Sequence, residues 1–267
     1  MQEAPQAADP GFLTVGTGEL KRDIAMHLLL PRPGSGRPAI VWLGGYRSDM
    51  SGTKAIVLEE HCRKTGAACV RFDYSGHGAS GGAFTDGTIS RWLEESLAVI
   101  DHAGHEKMIL VGSSMGGWIA LRVLQEMRKR SDGGRVAGLL LIAPAPDFTA
   151  VLIEPNLTDA EQRSLNERGY FEEPTPYGPD PNIFTKALIE DGRANQVLTG
   201  TIMLDCPVHI LQGMQDPDVP YSHAMRLVEH LPSDDVVLTL IRDGDHRLSR
   251  PQDLERMIRA VDELSAS

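Results

Sequence analysis

The chain has 267 residues, of which 41% are hydrophobic and 24% charged, values typical of a globular protein with one large domain. Its net charge of -11 at pH 7 argues against a broad binding surface for nucleic acids or anionic membranes. The three cysteines are odd in number, and their spacing fits neither a zinc site nor a disulfide framework. They indicate reduced thiols in a cytosolic compartment.

Short apolar strands alternate with amphipathic helices along most of the chain. After an N-terminal hairpin over 11–18 and 21–30, strands are predicted at 39–43, 68–72, 107–111, 136–143, 207–212 and 236–241. Helices are predicted at 52–65, 88–103, 117–130, 222–231 and 252–264. This order indicates the α/β class, with a mostly parallel central sheet and helices on both faces.

The alternation is interrupted over 145–204, a segment with six prolines and no convincing strand of the central sheet. Two helical stretches are predicted in it, at 158–168 and 182–198. We expect one domain over 1–267, with this segment inserted as a small lid after a core strand. The larger apolar residues of the lid either line a substrate pocket or only pack the lid onto the core, and the two roles are compatible. They include Phe148, Leu152, Phe171 and Phe184.

A strand-to-helix turn near the middle of the chain carries the spacing G-x-S-x-G, which is typical of a nucleophile elbow. The turn is so tight that the residues two before and two after the nucleophile must be small. Gly112 and Gly116 meet this demand for Ser114, whereas Ser113 would have bulky flanks. The sequence therefore predicts Ser114 as the nucleophile. The alternative is a Gly/Ser-rich turn with no chemistry.

A serine nucleophile needs a base, and the base needs an orienting acid. Asp216 and His246 each follow a late strand of the predicted sheet, and with Ser114 they give the chain order serine, acid, histidine. Because ligands of open α/β sheets lie at the carboxyl ends of strands, we expect the three side chains to meet there. They are the predicted catalytic triad.

The glycine-rich loop 73–82 lacks the spacing of a phosphate-binding loop. It contains His77, which is an alternative base. A packing role for His77 is preferred, because His246 occupies the position in chain order that the triad requires.

The oxyanion that forms during acyl transfer needs two preorganised donors. In elbows of this type the residue after the nucleophile, here Met115, supplies one backbone N–H. We expect the other from Tyr46, which follows two glycines at the end of strand 39–43. This chemistry requires no metal and no other cofactor, so none is predicted.

At these residues the chain resembles the α/β-hydrolase superfamily, including a G-x-x-D-x-x-V-P pattern around Asp216. A closer resemblance is to the mitochondrial palmitoyl-protein thioesterase family, also known as mycophenolic acid acyl-glucuronide esterase. The segments that carry it are Gly45-Tyr46, Gly52-Thr-Lys-Ala55, Arg71-Phe-Asp-Tyr-Ser-Gly76, Gly112-Ser-Ser-Met-Gly-Gly-Trp118, Gly213-Met214 and Asp245-His-Arg247. The family's serine, acid and histidine fall on Ser114, Asp216 and His246.

The resemblance implies S-deacylation of proteins or hydrolysis of acyl-glucuronide esters, so the substrate would be an acylated protein or a small molecule. It runs from about residue 39 to the C-terminus and is strongest outside the lid. The first ten residues lack the composition of a transit peptide, and no stretch is long enough to span a membrane. We therefore expect a cytoplasmic, bacterial-type relative.

Other functions remain open at this stage. A serine aminopeptidase or a general carboxylesterase can use the same fold, and Arg47 and Arg247 are candidate clamps for a charged peptide terminus. A non-catalytic binding protein is a third class, which usually requires a damaged triad, and no damage is visible here. The oligomeric state and the acyl chain length are not defined by the sequence.

Overall fold

The computed structural model describes residues 9–176, 178–232 and 235–266, and an eight-stranded sheet lies at its centre. From one edge to the other the strands are β1 (Gly11–Val15), β2 (Arg22–Leu29), β4 (Cys69–Phe72), β3 (Ala39–Leu43), β5 (Met108–Ser113), β6 (Val136–Ile142), β9 (Val208–Gly213) and β10 (Val236–Ile241). The pairs β1–β2 and β2–β4 are antiparallel, and every pair from β4 to β10 is parallel.

Helices cover both faces of this sheet. On one face lie α1 (Thr53–Thr65) and α7 (Pro251–Ala266), whose apolar residues form a core with one side of the strands. On the other face lie α2 (Ile89–Ala103), α3 (Met115–Lys129) and α6 (Tyr221–Glu229), which form the larger core. The predicted mostly parallel sheet between two helical layers is therefore confirmed.

Local sequence explains these elements. All residues of β3 and β5 are buried, as expected of strands covered on both faces. Helix α2 begins after Thr88, whose side chain accepts a hydrogen bond from the Arg91 N–H, and it ends at Gly104 in the left-handed conformation. Its apolar face buries Trp92 and Ile100, and each such side chain contributes about 2 kcal/mol or more of burial free energy.

The chain between β6 and β9 forms a separate layer of short elements over the carboxyl ends of the strands. They are a π-helical turn (Thr149–Ile153), α4 (Asp159–Glu167), β7 (Tyr170–Glu173), β8 (Asn182–Thr185) and α5 (Lys186–Ala194). Strands β7 and β8 pair with each other as an antiparallel ribbon and, among the described residues, do not join the central sheet.

The helix predicted over 182–198 is too long at both ends, because Asn182–Thr185 is strand β8 and α5 ends at Ala194. Thr185 ends the strand and caps α5, since its Oγ1 accepts a hydrogen bond from the Leu188 N–H at 3.1 Å. The apolar residues before this cap face β7, where Phe171 is the direct partner of Phe184. Among the described residues no helix is both long enough and apolar enough to cross a membrane.

Candidate active site

Ser114 lies between β5 and α3 in a backbone conformation that L-residues rarely adopt, with φ 54° and ψ -119°. The turn is tight enough to require glycine two residues before and two residues after Ser114, where the sequence predicts small residues. A Cβ added to Gly116 would lie 2.0 Å from the Leu43 carbonyl oxygen, and one added to Gly112 would lie 2.4 Å from the Gly116 oxygen. No other residue fits at either position, so the backbone holds Ser114 above the end of the sheet.

Ser114, His246 and Asp216 form one hydrogen-bonded chain. The His246 Nε2 lies 3.1 Å from the Ser114 Oγ, and the His246 Nδ1 lies 2.8 Å from the Asp216 Oδ2. The Asp216 carboxylate has no exposed surface, and the His246 side chain is 16% exposed. A carboxylate on Nδ1 leaves Nε2 as the proton acceptor, which is the tautomer that can deprotonate a serine.

Asp216 is held by its own loop, which follows β9. The Asp216 Oδ1 accepts hydrogen bonds from the backbone N–H groups of Asp218, at 2.9 Å, and Val219, at 2.8 Å. The Gln212 amide donates to Oδ2 at 3.2 Å. Together with His246, these donors occupy both carboxylate oxygens and fix the direction in which Asp216 faces.

The loop that carries Asp216 and the loop that carries His246 are hydrogen-bonded to each other through their backbones. The Gln215 N–H donates to the Gly244 carbonyl at 2.9 Å, and the Met214 N–H donates to the Ile241 carbonyl at 2.8 Å. A Cβ on Gly213 would lie 2.4 Å from the Gly244 oxygen, so the two loops pack in direct contact. This contact sets the distance between Asp216 and His246.

Two neighbouring aspartates have other partners. Asp243 pairs with Arg250 at 2.7 Å, and this pair lowers the pKa of the exposed Asp243 carboxyl. Asp245 accepts a hydrogen bond from the Leu248 N–H at 2.9 Å and so holds the turn after His246.

The two predicted oxyanion donors lie beside Ser114. Tyr46 and Met115 both line a cavity that also contains Ser114 and His246. No acceptor among the described residues takes the backbone N–H of Tyr46 or Met115. Gly45 brings the first loop close, because a Cβ there would lie 3.4 Å from the Ser114 Cβ. Within the described part of the chain, both N–H groups are therefore available as donors to a bound ligand.

A second glycine-rich loop supports the loop that contains Tyr46, which we call the oxyanion loop (residues 44–50). His77 is buried, and its Nε2 lies 3.2 Å from the Arg47 N–H while its Nδ1 lies 3.1 Å from the Ser75 carbonyl. Nδ1 therefore carries the proton, and Nε2 accepts. Burial, followed by the nearby Arg47, lowers the pKa of His77 to about 4, so the imidazole stays neutral. Asp73 accepts a hydrogen bond from the Met50 N–H at 2.6 Å.

A cavity of about 310 Å³ extends from Ser114 under the segment between β6 and β9, and we call it the lid cavity. All four apolar residues selected from the sequence line it: Phe148, Leu152, Phe171 and Phe184. Tyr46 joins this lining, since its ring stacks on Phe184 at 5.3 Å and its hydroxyl donates to the Ile183 carbonyl. Glu161, Glu173 and Asp218 supply the charges of the lining.

A second cavity of about 480 Å³ is also lined by Ser114 and His246, and we call it the polar cavity. Its lining includes Arg47, Lys54 and Arg247 as cations, with Asp49 and Asp180 as anions. Lys54 lies in the first turn of α1. Its Nζ donates to the Arg247 carbonyl and to the Ser249 Oγ, the latter at 3.4 Å.

Within the described part of the chain, one group of side chains has the spacing of a metal site, namely Asp216, Asp218 and His246. Two of its members already form the hydrogen-bonded chain with Ser114. The group therefore overlaps the predicted triad rather than adding a separate centre.

A sequence profile of the alpha/beta hydrolase family matches residues 28–260. The chain belongs to this family. The palmitoyl-protein thioesterase ABHD10, mitochondrial, of Pongo abelii is 33% identical over 229 residues, which are 85% of this chain and 72% of the relative. These similarities make the chain a hydrolase and confirm the resemblance seen in its sequence.

Solved structures agree with this assignment. A protein from Agrobacterium vitis S4 has 62% identity and a TM-score of 0.94, over 96% of this hydrolase and 98% of that chain. The alpha/beta hydrolase domain-containing protein 10 from mouse has 30% identity and a TM-score of 0.82, over 95% of this hydrolase and 98% of that chain.

The residues that the sequence reasoning did not find are those whose role depends on distant packing. The sequence gives Lys54 no role beyond its place in the segment Gly52-Thr-Lys-Ala55. In the structure its side chain reaches the loop after His246. The sequence favours a packing role for His77. In the structure its imidazole also forms a hydrogen bond with the Arg47 N–H of the oxyanion loop. No spacing rule connects positions 54 and 247, or 47 and 77.

Proposed function

We propose that this hydrolase cleaves acyl esters and thioesters through an acyl-enzyme on Ser114. The observation that carries the proposal is the hydrogen-bonded chain of Ser114, His246 and Asp216 beside two unoccupied backbone N–H groups. A nucleophile, a base, an orienting acid and an oxyanion hole are the set that acyl transfer requires.

In this mechanism His246 takes the proton of Ser114 as its Oγ attacks the acyl carbon. Asp216 stabilises the resulting imidazolium, and the N–H groups of Tyr46 and Met115 stabilise the oxyanion. His246 then gives its proton to the leaving oxygen or sulfur as the bond to the acyl carbon breaks. Water attacks the acyl-enzyme by the same route, and the free acid departs.

The lid cavity is the proposed acyl site. Phe148, Leu152, Phe171 and Phe184 surround the space next to Ser114, and burying an apolar chain there contributes about 25 cal/mol per Å². We propose that residues 145–204 act as a lid within a single domain and close this cavity. The printed name of the ABHD10 relatives makes an acylated protein a candidate substrate, and an acylated small molecule is the other.

A serine-directed fluorophosphonate tests the nucleophile. We expect the native protein and Ser113→Ala to be labelled and Ser114→Ala to lose both labelling and esterase activity while it stays folded by circular dichroism. Ser113 is the matched control, because it is the adjacent hydroxyl in the same turn. If the Ser114→Ala variant is still labelled, Ser114 is not the nucleophile and the proposal is wrong.

A substrate panel tests the reaction class against the runner-up, a serine aminopeptidase. We expect acyl thioesters and p-nitrophenyl esters to have a higher kcat/KM than aminoacyl anilides, because an acyl chain fits the apolar lid cavity. An anilide with the highest kcat/KM would favour the peptidase. A general carboxylesterase would hydrolyse the oxygen esters and leave the thioesters.

We also propose that the protein acts in the cytoplasm and needs no nucleic acid partner. Cys62, Cys69 and Cys206 are buried free thiols, as suits a reducing compartment, and the net charge is -11. The curated relatives are named mitochondrial, so cell fractionation is the test of location.

A further inference from the structure

We propose that the polar cavity binds an anionic group on the leaving group of the substrate, a carboxylate or a phosphate, with Lys54 as the residue that determines this specificity. The inference rests on the proposed function, because it names the leaving group that the acyl-enzyme reaction releases. Three observations support it. They are the neutral hydrogen-bond partners of the Lys54 ammonium group, the different charges of the two cavities and the presence of His246 in the lining of the polar cavity.

Lys54 is a half-buried cation whose ammonium group contacts neutral acceptors, although the charges of Asp245 and Asp253 also act on it. Its Nζ donates to the neutral Arg247 carbonyl and to the Ser249 hydroxyl, and no described carboxylate forms an ion pair with it. Burial, followed by the charge of Arg247, lowers the pKa of Lys54 to about 8. Proteins normally pair charges that they remove from water, since an unpaired one is costly. An anion in the cavity would supply the missing partner.

The two cavities that meet at Ser114 differ in charge. The described lining of the lid cavity contains three carboxylates, Glu161, Glu173 and Asp218, and no lysine or arginine. Burial, followed by the neighbouring Glu161 and Asp218, raises the pKa of Glu173. An anion entering this side meets repulsion, which leaves the lid cavity to the neutral acyl chain.

The polar cavity has the opposite balance. Its described lining contains three cations, Arg47, Lys54 and Arg247, against the carboxylates of Asp49 and Asp180. The Asp49 carboxylate is already engaged, because it accepts hydrogen bonds from the N–H and the hydroxyl of Ser51. The cavity therefore favours an anion over a cation, and Arg247 can add a second contact to the one from Lys54.

Both cavities are lined by Ser114 and His246, so once the acyl chain is assigned to the lid cavity, the polar cavity is the space left for the leaving group. Arg247 follows His246 directly in the chain, Ser249 comes two residues later, and both line the polar cavity. When the tetrahedral intermediate collapses, the bond from the acyl carbon to oxygen or sulfur breaks, and its electron pair goes to that atom. His246 gives the same atom its proton. The leaving group thus starts beside His246, and its anionic group takes no part in the bond changes.

Matched esters test the inference. The substrates are the hexanoyl esters of 4-hydroxybenzoate, of 4-hydroxyphenyl phosphate and of methyl 4-hydroxybenzoate, which share one acyl group. The readout is kcat/KM for each anionic ester divided by kcat/KM for the neutral methyl ester. We expect this ratio to fall about tenfold or more in Lys54→Met, as for a lost charge-assisted hydrogen bond. The larger of the two native ratios identifies carboxylate or phosphate as the preferred anion.

Two variants serve as controls. Lys64→Met makes the same charge change in the exposed last turn of α1, and its ratio should equal that of the native protein. Lys54→Arg keeps the charge and should keep most of the preference; it also covers the case in which Lys54→Met does not fold. Equal ratios in the native protein, Lys54→Met and Lys54→Arg would overturn the inference, as would the same loss in Lys64→Met.

A binding measurement separates this inference from the proposed function. Titration calorimetry of free 4-hydroxybenzoate and of inorganic phosphate uses Ser114→Ala, with and without Lys54→Met, and needs no turnover. We expect one of the two anions to bind and the affinity to fall about tenfold in the double variant. Binding that is unaffected by Lys54→Met, or absent for both anions, overturns the inference. If none of the esters is hydrolysed but binding depends on Lys54, the proposed function fails and the anion site stands.

Discussion

Among the aspartates near His246, the choice of the proposed acid depends on the direction of the carboxylate as much as on its distance. Asp243, Asp245 and Asp218 all lie near His246 in sequence or in its facing loop, and it is the Asp216 carboxylate that lies 2.8 Å from the His246 Nδ1. Asp243 is paired with Arg250, and Asp245 holds a backbone N–H. Asp216 is the residue whose carboxylate is buried against the imidazole.

We therefore predict that Asp216→Asn lowers kcat by roughly 10⁴, the loss expected when the imidazole takes the wrong tautomer. Asp218→Asn, Asp243→Asn and Asp245→Asn should each lower kcat by about tenfold or less, because they change only the local field. The measurement is kcat of the four variants on one ester, with folding checked by circular dichroism. The assignment would be contradicted if Asp218→Asn lost most of its kcat while Asp216→Asn kept nearly all of it.

At the residue scale the sequence identifies positions that a local rule defines. Gly112 and Gly116 mark the elbow, and Asp216 and His246 follow strands at the edge where Ser114 lies, so the three could be selected without coordinates. Lys54 could not be selected. Its role depends on a contact with the loop after His246, 193 positions away, and no periodicity records such a contact.

At the scale of elements, the oxyanion loop is held from behind by the loop that carries His77. The imidazole packs edge-on against Phe84 at 5.1 Å and Trp92 at 5.4 Å, while Nε2 accepts the Arg47 N–H. The neighbouring peptide carries the Tyr46 N–H. Because an oxyanion donor must be placed within a few tenths of an ångström, we infer that His77 positions the proposed Tyr46 donor.

We predict that His77→Phe lowers kcat roughly tenfold to hundredfold with little change in KM, somewhat less than complete loss of an oxyanion donor. His77→Gln should recover much of the activity, since its amide oxygen can accept the Arg47 N–H. Phe84→Leu removes aromatic packing from the same cluster and keeps the acceptor, so its kcat should change little. Equal losses in His77→Phe and His77→Gln would mean that the hydrogen bond has no role.

The elements show where sequence periodicity is sufficient and where it is not. Strand β10 has the predicted bounds, and the helices of the two layers begin and end within about two residues of theirs. The ribbon of β7 and β8 was not predicted. Each strand has only four residues, and Ile183 and Phe184 fit the apolar period of the following helix, so only their pairing with β7 defines them as a strand.

At the scale of the whole molecule, the net charge of -11 works against an anionic substrate. The proposed anion site therefore depends on a local cation, and the charge of Lys54 depends on pH. Its pKa is lowered to about 8 by burial and by Arg247, while Asp245 and Asp253 oppose this shift. The other charged or titratable groups that line the polar cavity are Arg47, Asp49, Asp180 and His246.

The sign of the pH effect follows from the lowered pKa. Below about pH 8 the Lys54 ammonium is charged and can pair with an anion, and above that pH it becomes neutral. We predict that the preference for the carboxylate ester over its methyl ester is largest near pH 6.5 and falls as pH rises to 9.5. Any effect of pH on the chemical step that the two esters share cancels in their ratio. A carboxylate is the better probe, because a phosphate monoester itself titrates near pH 6.

Lys54→Arg is the matched control for this titration, since a guanidinium stays protonated throughout the range. Its ratio of kcat/KM values should be independent of pH between 6.5 and 9.5, whereas the native ratio falls. Added salt should reduce both ratios, because exposed charges around the cavity are screened. If the native ratio is as flat as that of Lys54→Arg, the lysine does not hold the anion, and Arg47 or Arg247 would have to supply the preference without it.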